Sequence, residues 1–278
     1  MKMEVLTKSG RAKLAVEVTG EGDPIVFLHA RVADRRMWIH QMQEFGNRHQ
    51  AVSYDRRGFG GTVADAEDHS AVEDLMSVLY TVTNGSPAVL VGSSQGGGIA
   101  LDAALQYPSY VRALVLLSSS VTGAPKIEHP PQVENLLEQL KRAEAEYEHD
   151  EALKIRTQLW LDGPFQYEGR VVGEARMVFE EMNATALSLP PIGSNTDSSV
   201  AYGQLNKLLA PTLVMCGDLD LPGIRERSQY IAMNVPGARS CVVAGAAHLP
   251  SLERPLEVTR MIVEFLDRDI GKNPNPGF

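Results

Sequence analysis

The chain is predicted to fold as an α/β protein, a mostly parallel sheet flanked by helices. Two patterns predict it. Seven short β-rich runs recur with helix-length segments between them. Several of those runs are apolar at consecutive positions, as strands covered on both faces must be. A third pattern divides the chain, because the alternation stops near residue 120 and resumes near 207. The interval is charged, helix-patterned and opened by Pro130–Pro131. The expected organisation is therefore a core built from residues 1–119 and 207–278, interrupted by a helical insertion over 120–206.

In chain order the strand-like runs are KLAVEVT (13–19), PIVFLH (24–29), QAVSYD (50–55), AVLVG (88–92), RALVLLS (112–118), APTLVMCG (210–217) and ARSCVVAG (238–245). Helical spacing occupies 34–46, 70–84, 94–107, 223–233 and 253–268, the last marked by Leu256, Met261, Ile262, Phe265 and Leu266. Within the insertion, Val133, Leu136, Leu137, Leu140 and Tyr147 form one helical stripe, and Val171, Ala175, Val178 and Met182 form another. Each stripe is polar on its opposite side, so these helices are expected to cover something. The acidic run EAEYEHDE (144–151) reads as a solvated helix face.

Composition excludes whole classes of partner. At 278 residues, with 44% hydrophobic and 22% charged residues, the chain is that of an ordinary packed protein. Its formal charge of −9 would repel phosphate backbones and anionic lipid, and neither a basic stripe nor a basic amphipathic helix overrides it. Nucleic acid and membrane are not expected partners. The segment MKMEVLTKSGRAKL lacks an apolar signal core, and no window reaches the ~20 apolar residues a span requires, so a cytoplasmic location is expected. Cys216 and Cys241 sit in apolar runs and read as buried reduced thiols. No His/Cys/Asp cluster has metal-ligand spacing.

The stretch LVGSSQGGGIA (90–100) carries the chemistry. It places Gly92-Ser93-Ser94-Gln95-Gly96 between a strand-like run and a helix-like one, which is G-x-S-x-G centred on Ser94. A serine on so sharp a turn needs small residues two positions to either side, and Gly92 and Gly96 supply them. Ser93 would be flanked by Val91 and Gln95, both too bulky, so it reads as a bystander. A phosphate loop would end in Lys-Ser/Thr, which GSSQGGG does not. A serine hydroxyl needs a base and an acid to orient that base. Among seven histidines, His248 follows the last strand-like run in AGAAH, at the sheet edge where Ser94 lies; the others read as structural, His29 being the one beside a candidate oxyanion turn. For the acid, TLVMCGDLD offers Asp218 and Asp220, which the residues alone do not separate.

Five motifs in order, FLHARVADRRMW, YDRRGFGGT, the turn at Ser94, GDLD and AHLPSLERP, resemble the α/β-hydrolase superfamily. The resemblance is to its small bacterial esterases and lactonases, of the 3-oxoadipate enol-lactonase kind, and covers nearly the whole chain. It implies an α/β-hydrolase fold with residues 120–206 as a helical cap over the active site. It places the nucleophile on Ser94, the acid on Asp220 and the base on His248. It places the oxyanion donors on the backbone N–H groups of Gln95 and Arg31. Where the family usually has His-Gly, this chain has His29-Ala30. In the cap, Trp160, Tyr167, Met177 and Met182 are candidates for a pocket wall, Trp160 and Met182 foremost, with core packing the competing reading. The implied reaction is hydrolysis of a small carboxylic ester or lactone through an acyl-enzyme, with no metal or organic cofactor. Carbon–carbon hydrolases, perhydrolases, acyltransferases and small-molecule receptors of this fold remain open, as does assembly into a homodimer. Arg31 either points to solvent or leans over the pocket mouth toward an acidic substrate.

Overall fold

The computed structural model describes residues 2–270. Eight strands run β1 (Lys2–Ser9), β2 (Ala12–Thr19), β3 (Pro24–Leu28), β4 (Gln50–Tyr54), β5 (Ala88–Ser93), β6 (Val111–Leu117), β7 (Thr212–Gly217) and β8 (Arg239–Val243). They form one sheet in the order β1-β2-β4-β3-β5-β6-β7-β8. From β4 to β8 every neighbouring pair is parallel, whereas β1 and β2 are antiparallel to their neighbours. Strands β3, β5 and β7 are buried at every position, which is why their sequences run apolar without alternation.

The helices are α1 (Ile39–Phe45), entered through a 3-10 turn at Arg35–Trp38, then α2 (Ala71–Val82), α3 (Gln95–Gln106), α4 (Pro131–Ala145), α5 (His149–Arg156), α6 (Glu174–Ser188), α7 (Pro222–Asn234), α8 (Pro250–Glu253) and α9 (Pro255–Phe265). Two apolar layers sandwich the sheet. One contains Leu75 and Leu79 of α2 with Leu101 of α3 and Ile231 of α7; the other contains Trp38, Phe45 of α1 and Ile262 of α9. Such side chains each contribute roughly 1.5–3 kcal/mol on burial.

Two elements depart from the sequence expectation. Strand β1 was not foreseen: it is an edge hairpin partner whose residues are largely exposed, so it carries no apolar run to reveal it. Its turn is Gly10-Arg11, with Gly10 at φ +56°. The expected helix over 253–268 instead begins as α8, breaks at Arg254 and resumes at Pro255, a residue that cannot donate the intervening hydrogen bond. Cys216 is buried as expected, but Cys241 is only half-buried because β8 is an edge strand.

Helices α4, α5 and α6 all lie in the chain between β6 and β7. Val133 of α4, Ile155 of α5 and Leu159 pack on Leu221 at the entry to α7, with Leu136, Leu137 and Leu140 half-buried against them. Tyr147 does not join this stripe: it lies beyond α4 at φ +59° and is 80% exposed. On α6, Met182 and Phe179 join the layer that holds Trp38. Among the described residues, no helix is long and apolar enough to cross a membrane.

Candidate active site

Ser94 occupies the joint between β5 and α3 with φ +51° and ψ −116°, a conformation that L-residues rarely adopt. The glycines around it are there for space. A Cβ on Gly92 would stand 2.6 Å from the Gly96 carbonyl oxygen and from Gly97 Cα, and one on Gly96 would press on the Leu28 and His29 carbonyls. Gly97 and Gly98 let α3 approach Ser119 and Ser120. Ser93 is fully buried and its hydroxyl has no partner among the described residues; Ser94 is half-buried.

Parallel pairing of β5, β6, β7 and β8 brings the loops after β5, β7 and β8 to one edge. The last two loops interlock: Leu219 N–H donates to Ala246 O at 3.0 Å, and a Cβ on Gly217 would collide with the Ala246 and Ala247 carbonyls. His248 Nδ1 stands 2.9 Å from Asp220 Oδ2 and 3.1 Å from Oδ1, with both residues buried. Asp220 Oδ1 also accepts the Leu221 N–H at 2.8 Å, and the Cys216 thiol lies 3.8 Å from Oδ2. Burial, with the Asp220 charge beside it, pushes that thiol up to about 12, so it stays protonated. Asp218 does something else: its Oδ1 accepts the Gly245 N–H at 2.7 Å. The structure thus brings Asp220 and His248 together. Among the described residues no hydrogen bond joins the Ser94 hydroxyl to the His248 ring, a contact that often tightens only with substrate bound.

Gln95 and Arg31 are the residues whose backbone N–H groups the resemblance implies as oxyanion donors. Neither backbone N–H has an acceptor among the described residues. Both residues border a cleft of about 370 Å³ that also touches Arg56, Phe59, Leu189 and Ile192. His29 is buried behind this turn: its Nδ1 lies 2.7 Å from Ala30 O, and its Nε2 accepts the Arg56 N–H at 3.0 Å. Burial, then the Arg56 charge, holds its pKa well below the usual histidine range, so the ring is neutral.

Of the pocket-wall candidates, Trp160 lies on a π-helical turn at Thr157–Asp162, with its ring 4.9 Å from that of His248. Met182 is buried, and its sulfur receives the Asp34 N–H at 3.3 Å. Tyr167 and Met177 are exposed. Sequence reasoning missed the support of His248. The Glu253 carboxylate accepts the Ala247 N–H at 2.9 and 3.0 Å and the Leu249 N–H at 3.2 Å, and it pairs with Arg170. The Glu in AHLPSLERP was the available signal; nothing in the sequence pointed to Arg170 as its partner. Among the described residues no group of three or more His, Cys, Asp or Glu side chains is arranged to hold a metal.

The profile of the Alpha/beta hydrolase family matches residues 25–261. The chain is 26% identical to epoxide hydrolase 3 of Xenopus tropicalis over 275 residues, covering 88% of this chain and 71% of that protein. Among solved structures, a thermophilic esterase from Thermogutta terrifontis superposes with a TM-score of 0.73 at 24% identity, covering 96% of this chain and 98% of that one. The enol-lactonase from Burkholderia xenovorans LB400 superposes with a TM-score of 0.74 at 18% identity, over 96% and 100%. With its eight-stranded sheet, its serine on the turn into α3 and a family match spanning most of its length, the chain belongs to the alpha/beta hydrolase family.

Proposed function

We propose that this protein is a serine hydrolase that cleaves a small carboxylic ester or lactone. The observation that carries the reading is Ser94, held at positive φ on the β5–α3 joint at the sheet edge that also bears the Asp220–His248 pair. In this reading His248 takes the hydroxyl proton as Ser94 attacks the carbonyl, and Asp220 holds Nδ1 protonated so that Nε2 faces the nucleophile. The Gln95 and Arg31 amides, without an acceptor among the described residues, receive the developing oxyanion, each such donor being worth about 10²–10³ in turnover. Water then cleaves the acyl-enzyme with His248 as base, and no cofactor is needed.

The hydroxyl also argues against the reaction named for the epoxide hydrolase relative. Serine opening an epoxide would leave an ether that water does not readily cleave, whereas an acyl-enzyme ester turns over. In the same reading, residues 120–206 form the cap, Trp160 stands over His248 in the pocket, and the protein works in the cytoplasm. The test is turnover of p-nitrophenyl esters of rising chain length and of small lactones by the wild type, Ser94→Ala and Ser93→Ala. Ser94→Ala is expected to lose at least about 10³ in kcat, and Ser93→Ala to stay within about tenfold. Comparable losses in both variants would remove Ser94 as nucleophile.

A further inference from the structure

The turn that carries the Arg31 amide is held from two sides. It consists of Ala30-Arg31-Val32-Ala33, closed by the Ala33 N–H on Ala30 O at 3.3 Å, with Arg31 and Val32 at its corners. The core grips its first residue. His29 Nδ1, which carries the ring proton because Nε2 accepts the Arg56 N–H, donates to Ala30 O at 2.7 Å, and the Ala30 N–H reaches the Met37 sulfur at 3.4 Å. The other end is gripped by α6, in the segment between β6 and β7. Asn183 Nδ2 donates to Val32 O at 2.8 Å, and the neighbouring Met182 sulfur receives the Asp34 N–H at 3.3 Å.

Packing alone does not explain Asn183. It is fully buried on a helix beside Phe179 and Met182, both members of an apolar layer. Asparagine is a poor helix former and its amide is costly to bury, so an aliphatic side chain would serve better there if only packing mattered. The amide is instead used at both ends. Nδ2 also donates to Phe179 O at 2.9 Å, and Oδ1 accepts Arg156 Nη1 at 3.1 Å. The two carbonyls can only accept and the guanidinium can only donate, so the amide has one orientation. Arg156, the last residue of α5, is fixed in turn, because its Nε and Nη2 donate to Glu144 Oε1 of α4 at 3.0 and 2.6 Å. One chain of polar contacts, Glu144–Arg156–Asn183–Val32, therefore runs from α4 through α5 and α6 to the turn.

We propose that Asn183 is a positioning residue for the oxyanion site: by holding Val32 O it fixes the turn, and with it the direction of the Arg31 N–H. A donor aimed before charge develops needs no reorganisation as the substrate oxygen becomes negative, which is what makes such donors effective. Without the Asn183 bond the turn keeps its closure at Ala30 and Ala33 but loses the hold on its far corner. Helices α4, α5 and α6 then contribute to the rate through this one side chain, besides whatever they cover. The inference rests on the ester or lactone reading above, with Arg31 as a donor.

The experiment measures p-nitrophenyl butanoate turnover and its inhibition by butylboronic acid, which forms a tetrahedral adduct on an active serine, for wild type, Asn183→Leu and Asn183→Asp at pH 8. The Asp variant keeps the shape of the side chain and its contact with Arg156, which holds the new carboxyl ionised, but turns an acceptor toward Val32 O. Both variants are expected to lose at least about tenfold in kcat with KM within about threefold, and the boronate inhibition constant to rise by the same factor as kcat falls. If Asn183→Asp keeps kcat within about threefold of wild type, or if the loss falls on KM alone, the positioning role is overturned while the esterase reading stands. If the wild type turns over no ester, labelling decides. Diethyl p-nitrophenyl phosphate phosphorylates an activated serine with release of p-nitrophenolate, and the mass of the intact protein follows the rate. Labelling at Ser94 that both variants slow at least about tenfold keeps the positioning role and discards the esterase reading. Equal labelling rates discard the positioning role, and no labelling of the wild type discards both. Should either variant fail to fold, Asn183→Ser takes its place, a shorter side chain without the amide.

Discussion

Asp218 and Asp220 stand two positions apart in one loop and do different work. Asp220 faces His248 and accepts the Leu221 N–H, whereas Asp218 closes the neighbouring loop through Gly245. An Asn at 220 presents an amide N–H or O to the ring and loses the charge that would stabilise an imidazolium, so kcat is expected to fall about 10³ or more. An Asn at 218 keeps the acceptor oxygen that Gly245 needs and is expected to leave kcat within about fivefold. Steady-state turnover of a responsive ester by the two variants checks this; the larger loss at Asp218 would reverse the assignment. The same contrast shows the reach of sequence reasoning, since GDLD does not say which carboxylate turns toward the histidine.

Helix α3 combines the tight joint at Ser94 with a buried acid further along. Asp102 is 2% exposed, and its Oδ1 accepts the Thr122 hydroxyl at 2.7 Å. Burial, with the Asp197 charge adding to it, raises its pKa to about 6. The unfolded chain would titrate near 3.9, so between about pH 4 and pH 6 the native state binds more protons than the unfolded one. Stability from this group is therefore present below pH 4 and declines as pH rises through 6. Asp102→Asn keeps an oxygen for Thr122 and removes the buried charge. The variant is expected to match wild type near pH 4 and to exceed it at pH 8 by about 1–2.5 kcal/mol, the upper figure corresponding to the full shift and the lower allowing for partial solvent screening. Thermal unfolding of both proteins at the two pH values is the measurement, and an equal Tm difference at both would rule the titration out.

Across the whole molecule, Arg170 joins the segment between β6 and β7 to the core. Its guanidinium donates to Leu161 O at 2.7 Å and Gly245 O at 2.9 Å and pairs with Glu253, which in turn holds the amides on either side of His248. Burial raises the Glu253 carboxyl, while Arg170 and the Ala247 N–H oppose that rise. Removing the cation alone leaves a buried carboxylate without a counter-ion, held only by the Ala247 and Leu249 N–H groups, which typically costs about 3–5 kcal/mol. Arg170→Met is therefore expected to destabilise strongly, and Arg170→Met with Glu253→Gln to recover part of the loss. Denaturant unfolding of the two singles and the double gives the coupling. Strict additivity would mean that the tie contributes nothing.

What the sequence by itself determined was local. The alternation of strand and helix placed most of the core, G-x-S-x-G singled out Ser94 over Ser93, and the position after the last strand singled out His248. These signals are legible because an apolar run, a glycine needed for close approach and a residue's place after a strand are properties of a few neighbouring positions. Tertiary structure decided the rest. Edge strand β1 is largely exposed and so left no apolar signature. YDRRGFG shows two arginines side by side; only the folded chain reveals that Arg57 meets Asp74 and Glu67 while Arg56 meets no carboxylate among the described residues. The physical reason is that burial and pairing depend on groups brought from distant parts of the chain, and a guanidinium's cost or use is set by which of those groups arrive within hydrogen-bonding distance.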